Sequence, residues 1–244
     1  MKFYCGLHHP GHAVYLDRAF ISFNRVRDRK SIVPSRNWIM DSGAFSELER
    51  FGKYRESPET YAKEVNRIVA LNPAGLQVIV SQDWMCEPFM LERTGLPIGE
   101  HQRLTIERYD VIRSMVPNVH VMPVLQGYKI TDYCSHLQQY GNRLWPGMHV
   151  GVGSLCKRNG IKPDEIMAVV RSIKQLRPDL KLHGFGLKKT ALREALIRDA
   201  LYSADSMAWS WAARRRGGDA NDWQEAKRFA ERMDTMAIQE GMEI

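Results

Sequence analysis

A chain of 244 residues is long enough for one large domain with a sizeable buried core, or for two small ones. Its 35 lysines and arginines outweigh 28 aspartates and glutamates, and the formal charge of +7 suits a polyanionic partner such as nucleic acid, although many basic proteins bind none. Four cysteines, Cys5, Cys86, Cys134 and Cys156, stand far apart without paired spacing, which speaks against a disulfide framework and a thiolate zinc cage. There is no signal-peptide pattern and no apolar run of bilayer length, so the expectation is a protein of the reducing cytoplasm with no membrane partner.

Along the chain, short apolar runs alternate with amphipathic stretches. Strands are expected over 2–6, 19–23, 38–40, 76–80, 119–124, 148–152, 180–185 and 204–208. Ser57 as an N-cap and Pro58 at the first helical position open a helix over 61–71. Lys162-Pro163 opens another over 166–176, Lys189-Thr190 a third over 191–202, and Ala220-Asn221 a C-terminal helix reaching about residue 240. Eight strands, each followed by a helix or short turn, is the count of a TIM-type (β/α)8 barrel, near the lower end of that fold's length. With no linker, repeat or low-complexity tract, residues 1–244 read as one domain, the helix over 220–240 packing on the barrel. A doubly wound open sheet is the alternative, weakened by the lack of a G-x-G-x-x-G in the first βα unit.

Three carboxylates fall where an expected strand gives way to a polar or glycine-rich turn, and barrel strand ends converge on one mouth. Asp41 leads into Ser42-Gly43-Ala44-Phe45, whose small residues would let a planar ligand approach while Phe45 stacks on it. Gln82-Asp83 ends the run from Leu76, and Asp205 is the only carboxylate of the last strand pattern. Such acids suit nucleophilic and general-base work on a glycosidic bond; each taken singly reads equally well as a helix cap. Gln126-Gly127 and Gly153-Ser154 end the intervening strands, and acid, amide and bare backbone together could read a purine edge.

His8 and His9, with His12 nearby and no acid between them, suit a phosphate or substrate contact, or a structural role, better than a metal. Basic pairs follow strand ends at Lys157-Arg158 and Lys188-Lys189, the latter after the turn that His183 precedes, and could meet backbone phosphates. The run from Arg25 to Lys30 reads by default as a solvated face. Beyond Asp205, Trp209, Arg214 and Arg215 could stack a displaced base and neutralise phosphate; the alternative, that the tryptophans anchor the C-terminal helix in the core, suits Trp211 better than Trp209.

Taken together, Met40-Asp41-Ser42-Gly43-Ala44-Phe45, Gln82-Asp83-Trp84-Met85-Cys86-Glu87-Pro88, Arg93-Thr94-Gly95, His101-Gln102, Pro123-Val124-Leu125-Gln126-Gly127, Gly151-Val152-Gly153-Ser154, His183-Gly184-Phe185-Gly186 and Ser203-Ala204-Asp205-Ser206 resemble the DpdA-type 7-deazaguanine DNA transglycosylases, a divergent branch of the tRNA-guanine transglycosylases. The resemblance runs in order from residue 1 to about 216. It implies a TIM barrel that exchanges guanine in double-stranded DNA for a 7-deazaguanine such as preQ0. Asp41 would be the general acid/base, Asp205 the nucleophile, and Asp83, Gln126 and Gly153 the purine readers with Phe45 stacking. No cofactor is called for, a homodimer is reasonable, and accessory DNA-modification proteins could be required. The Cys-x-Cys-x-x-Cys zinc motif of the tRNA enzymes has no counterpart here, so a barrel without the zinc subdomain is expected. Exchange on tRNA, a non-catalytic nucleic-acid-binding barrel and an enzyme of free nucleosides stay open as rivals.

Overall fold

Parallel strands covered on both faces need apolar residues at odd and even positions alike, and the short Val-, Ile- and Met-rich runs of this chain meet that need. The computed structural model describes residues 1–71, 74–155 and 163–240. Its strands are β1 (Lys2–Leu7), β2 (Ala19–Ser22), β3 (Trp38–Asp41), β4 (Leu76–Val80), β5 (His120–Met122), β6 (Val124–Leu125), β7 (His149–Val152), β8 (Lys181–Gly184) and β9 (Ser203–Ser206). They pair in the order β5-β4-β3-β2-β1-β9-β8-β7-β6, all parallel.

The two ends of that order, β5 and β6, are separated in the chain by Pro123 alone, so the sheet comes round to itself as a TIM-type barrel. The expected strand over 119–124 is therefore one staff of the barrel broken at Pro123, which has no N–H to give its neighbour. Its carbonyl still accepts from the Gly151 N–H at 2.9 Å. Beside the break the Tyr140 hydroxyl accepts from the Val124 N–H at 3.3 Å and donates to the Val124 carbonyl at 3.1 Å.

Helices α1 (Ala44–Phe51), α2 (Pro58–Leu71), α3 (Pro88–Thr94), α4 (Ile98–Met115), α5 (Ile130–Tyr140), α6 (Pro163–Leu176), α7 (Lys189–Leu192), α8 (Ala195–Ala200), α9 (Ala208–Arg215) and α10 (Trp223–Glu240) complete the βα units. The expected helix over 191–202 is divided at Arg193-Glu194, and the expected strand over 204–208 stops at Ser206. There the Ser206 hydroxyl donates to the Leu187 carbonyl at 2.7 Å and accepts from the Ala208 N–H at 3.2 Å, turning the chain into α9. Helix α10 lies along β1, with Phe229 edge-on to Phe3 at 5.5 Å and Asp234 bonded to Arg18 at 2.8 Å.

Alternation along the strands sorts the core into two layers. Tyr4, Phe20, Ile39, Val78, Val80, Met122 and Val124, joined by Phe185, fill the barrel interior. Their chain neighbours, among them Phe3, Cys5, Trp38, Met40, Ile79, Val121 and Leu125, face outward into the layer packed by the helices. Among the described residues no helix is long and apolar enough to cross a membrane.

Candidate active site at the barrel mouth

The same alternation that places Ile39 and Val124 inside carries two residues on to Asp41 and Gln126, at the C-terminal edge of the barrel. Gly151 precedes Gly153 and Ser203 precedes Asp205 in the same way. Asp41, Asp83, Gln126, Gly153 and Asp205 all line one cavity of about 700 Å³ at that mouth.

Asp83 anchors one wall. The Gln126 side-chain amide donates to its Oδ2, and the Ser42 hydroxyl to Oδ1 at 3.3 Å. Gln126 is fixed in turn: its N–H donates to His136 Nδ1 at 2.8 Å, and its carbonyl accepts from Gln102 Nε2 at 2.7 Å. Ser154 donates its single hydroxyl proton within reach of both Gln126 Oε1 at 2.7 Å and Glu87 Oε2 at 2.8 Å. Gly153 is required by close approach, because a Cβ there would overlap the Gln126 amide. Tyr54 holds the Asp83 carbonyl from below at 2.9 Å. The wall thus presents a carboxylate and an amide whose orientations are set before any ligand arrives.

Asp205 is tied by one oxygen only. Its Oδ1 accepts from the Gly186 N–H at 2.9 Å and lies 3.2 Å from His183 Nε2; among the described residues Oδ2 accepts no hydrogen bond. The chain continues inward, from His183 Nδ1 to Ser203 Oγ at 2.8 Å and from Ser203 Oγ to His149 Nε2 at 2.7 Å. Burial, with the neighbouring His183 and His120 imidazoles, pushes His149 down to about 2, so it is neutral. One proton order satisfies every member: His149 Nε2–H to Ser203, Ser203 O–H to His183 Nδ1, and His183 Nε2–H to the carboxylate. Barrel interiors are ordinarily filled by branched apolar side chains, and this polar column is a departure that ends on Asp205.

Asp41 accepts from the Gly43 N–H at 3.0 Å, where Gly43 turns the chain with φ +79° and leaves no room for a Cβ beside Asn24. Burial, and then the charge of Asp83, push the Asp41 carboxyl up to about 7 against that hydrogen bond, with a smaller contribution from Asp205. Burial raises Asp83 to about 6, held there by its bonds from Gln126 and Ser42. An acid near neutrality therefore shares the cavity with a carboxylate that has one oxygen to offer.

Other expected residues distribute less evenly. Phe45 and Ser154 line the cavity, and Ser42 supports it through Asp83. Gln82 turns away, its Oε1 accepting from Arg108 Nη1 at 2.5 Å, and Gly127 packs against Asp132 on α5 outside the cavity. His8 reaches the cavity wall, whereas His9 stacks on His12 at 4.6 Å. Lys188 and Lys189 are exposed at the start of α7 and do not line the cavity. Lys157 and Arg158 lie outside the described residues. Trp209, expected on a nucleic-acid surface, is instead buried with its indole N–H donating to the Gly6 carbonyl at 2.9 Å. Trp211 is the exposed one of the pair, at 61 %.

Sequence reasoning missed the arginines of the mouth. Arg25, Arg27, Arg50 and Arg55 line the cavity, two of them from the run read as a solvated face. Arg27 is paired with Glu56 at 2.9 Å and Arg55 with Glu47 at 2.6 Å. It also missed His183 as a partner of Asp205, because pairing between neighbouring strands is not written in either strand alone. Among the described residues no group of three or more His, Cys, Asp or Glu is arranged to hold a metal ion.

A family model described as DpdA, DeoxyPurine in DNA protein A, matches residues 1–224. No curated protein matches the chain.

Proposed function

The chain belongs to the DpdA family, DeoxyPurine in DNA protein A, and we propose that it exchanges guanine in DNA for a 7-deazaguanine base such as preQ0. The observation that carries the reading is the joint occupancy of one cavity by Asp205, with Oδ2 unengaged, and Asp41, with its carboxyl raised to about 7. A volume of about 700 Å³ is in the range of small-molecule sites and suits a single extruded nucleotide.

The target guanosine leaves its stack and its base lies along the Asp83–Gln126 wall. Asp205 Oδ2 attacks C1′ as the C1′–N9 bond breaks, and protonated Asp41 supplies the proton that the departing guanine takes up. A glycosyl-Asp205 ester results. The 7-deazaguanine enters the same wall, gives its N9 proton to Asp41, and attacks C1′ through N9, releasing the Asp205 carboxylate. Protons and bonds balance over the cycle, and no cofactor or nucleotide triphosphate is consumed. Water must be kept from C1′ while the ester stands, or an abasic site results.

The test is incubation of duplex DNA, and separately tRNA, with radiolabelled preQ0 and either the wild-type chain or Asp205→Ala. Label in DNA that depends on Asp205 supports the reading. Label in tRNA alone would transfer the protein to the chemistry of the tRNA enzymes. Undiminished exchange by Asp205→Ala would remove Asp205 from the nucleophile's role.

A further inference from the structure

Helix α9 follows Asp205 and Met207, both of which line the cavity, and its residues fall on three columns. Trp209 and Ala213 are buried and fasten it to the barrel. One residue further round, Ser210 and Arg214 meet His8, which lines the cavity: Ser210 Oγ is 2.9 Å and Arg214 Nη2 3.5 Å from His8 Nε2. A guanidinium only donates, so Nε2 is the acceptor and the imidazole proton sits on Nδ1, with no acceptor for it among the described residues. Burial and the charges of Arg25 and Arg214 lower the His8 pKa and keep the ring neutral.

The third column is Trp211 and Arg215, four residues apart, with the guanidinium 4.8 Å above one face of the indole. The ring is 61 % exposed. Arg25, Arg214 and Arg215 form no ion pair with a carboxylate among the described residues, whereas their neighbour Arg216 is held by Glu225 at 3.3 Å. Unneutralised cations gathered at a cavity mouth, and continuous with an exposed indole, match a polyanion whose units each carry one phosphate and one flat ring.

We propose that α9 guides the DNA strand out of the cavity, with a backbone phosphate of the target nucleotide held by Arg25 and Arg214, and the adjoining unpaired base stacked on the open face of Trp211. This rests on the reading of the cavity as the seat of a DNA nucleotide. It adds a subsite for the neighbouring nucleotide, whose identity is read by stacking and not by hydrogen bonds, so it tolerates any base.

The experiment measures binding of a fluorescein-labelled single-stranded oligodeoxynucleotide with one central guanine by fluorescence anisotropy. Trp211→Ala is expected to weaken binding roughly 5- to 150-fold, the range of one lost base–aromatic stack, while Trp211→Phe keeps most of it. Removing the base of one nucleotide beside the guanine should weaken binding to the wild-type chain and leave Trp211→Ala unaffected. Arg25→Ala and Arg214→Ala should each lower the slope of log affinity against log salt, and the double variant by about 0.7, the share of one single-strand phosphate. Thermal melting of each variant separates a lost contact from a lost fold. Binding indifferent to Trp211, or a flanking-base effect that persists in Trp211→Ala, overturns the subsite even where base exchange is found. Trp211-dependent binding without any exchange keeps the subsite and sinks the transglycosylase reading instead.

Discussion

Asp41 and Asp83 lie close enough for the charge of one to raise the pKa of the other, so their titration belongs to the pair. On the proposed mechanism, which makes Asp41, near 7, the acid and Asp83, near 6, the purine acceptor, exchange should follow a bell-shaped pH profile with limbs close to those values. Asp83→Asn removes a negative charge beside Asp41, and the alkaline limb should move to lower pH; single-turnover rates across pH 5–9 would show it, and an unmoved limb would break the link. The same burial has a stability cost. Asp41 binds its proton more tightly folded than unfolded, so the native state holds the extra proton between about pH 4 and 7 and loses stability as pH rises through that window. A shift from 3.8 to about 7 corresponds to roughly 4 kcal/mol at most. Asp41→Asn is therefore expected to stabilise the protein at pH 8 and to bring no gain near pH 4, as read by denaturant unfolding at both; an equal gain at both would refute the assignment. For His183, losing a hydrogen bond to a charged group costs about 1.5–3 kcal/mol. His183→Phe should therefore lower kcat by about 10- to 150-fold, leave the KM for DNA unchanged, and be partly restored by His183→Gln, which keeps a donor toward Asp205.

At the scale of elements, a strand's period of two aims the site and a helix's period of 3.6 is partly hidden by it. Ile39 and Asp41 share a face, as do Val124 and Gln126, so hydrophobic alternation inside the barrel continues as chemistry at its mouth. Helix α4 shows the reverse: its inner face carries His101, Gln102 and Thr105 ahead of Ile106, Tyr109 and Ile112, and these buried polar residues break the apolar pattern. They are there to serve the site, Gln102 bonding the Gln126 carbonyl and Thr105 accepting from the Trp84 N–H at 2.8 Å. The sequence favours Trp209 over Trp211 for the nucleic-acid surface and the structure reverses them, since two residues of one short helix differ only in which faces the barrel. Gly153 makes an element-level prediction. Gly153→Ala would force the Gln126 amide out of position, costing about 1–3 kcal/mol of stability and lowering guanine affinity more than kcat. Denaturant unfolding with guanine titration measures both; unchanged guanine binding would detach Gln126 from purine recognition.

Across the whole molecule, closure of the barrel brings residues 41, 83, 126, 153 and 205 to one cavity from five separate βα units. The last unit is secured through α10, whose Phe229 is buried on Phe3 of β1, next to the strand that carries Asp205. Phe229→Ala should cost about 3–5 kcal/mol, seen as a lower denaturation midpoint with DNA binding retained in the fraction that stays folded. A change under 1 kcal/mol would mean that α10 contributes little to barrel closure. At this scale Arg25 and Arg50 line the same cavity as Asp41, Asp83 and Asp205, with Arg214 joined to it through His8.

Eight apolar runs, their spacing and the turn residues after them determined a parallel α/β domain from the sequence alone, because strand formation and alternation are local, while closure into a barrel was decided only where β5 and β6 meet at Pro123. Asp41, Asp83, Gln126, Gly153 and Asp205 were legible for the same reason, each sitting where a local pattern ends. What tertiary structure alone decided was which groups meet: the pairing of Asp205 with His183, the loss of Gln82 to Arg108, the burial of Trp209 and the recruitment of Arg25 to the cavity. These depend on strand register and on the rotation of each helix about its axis. A shift of one residue in either would exchange inside for outside, and no single segment of the chain records that choice.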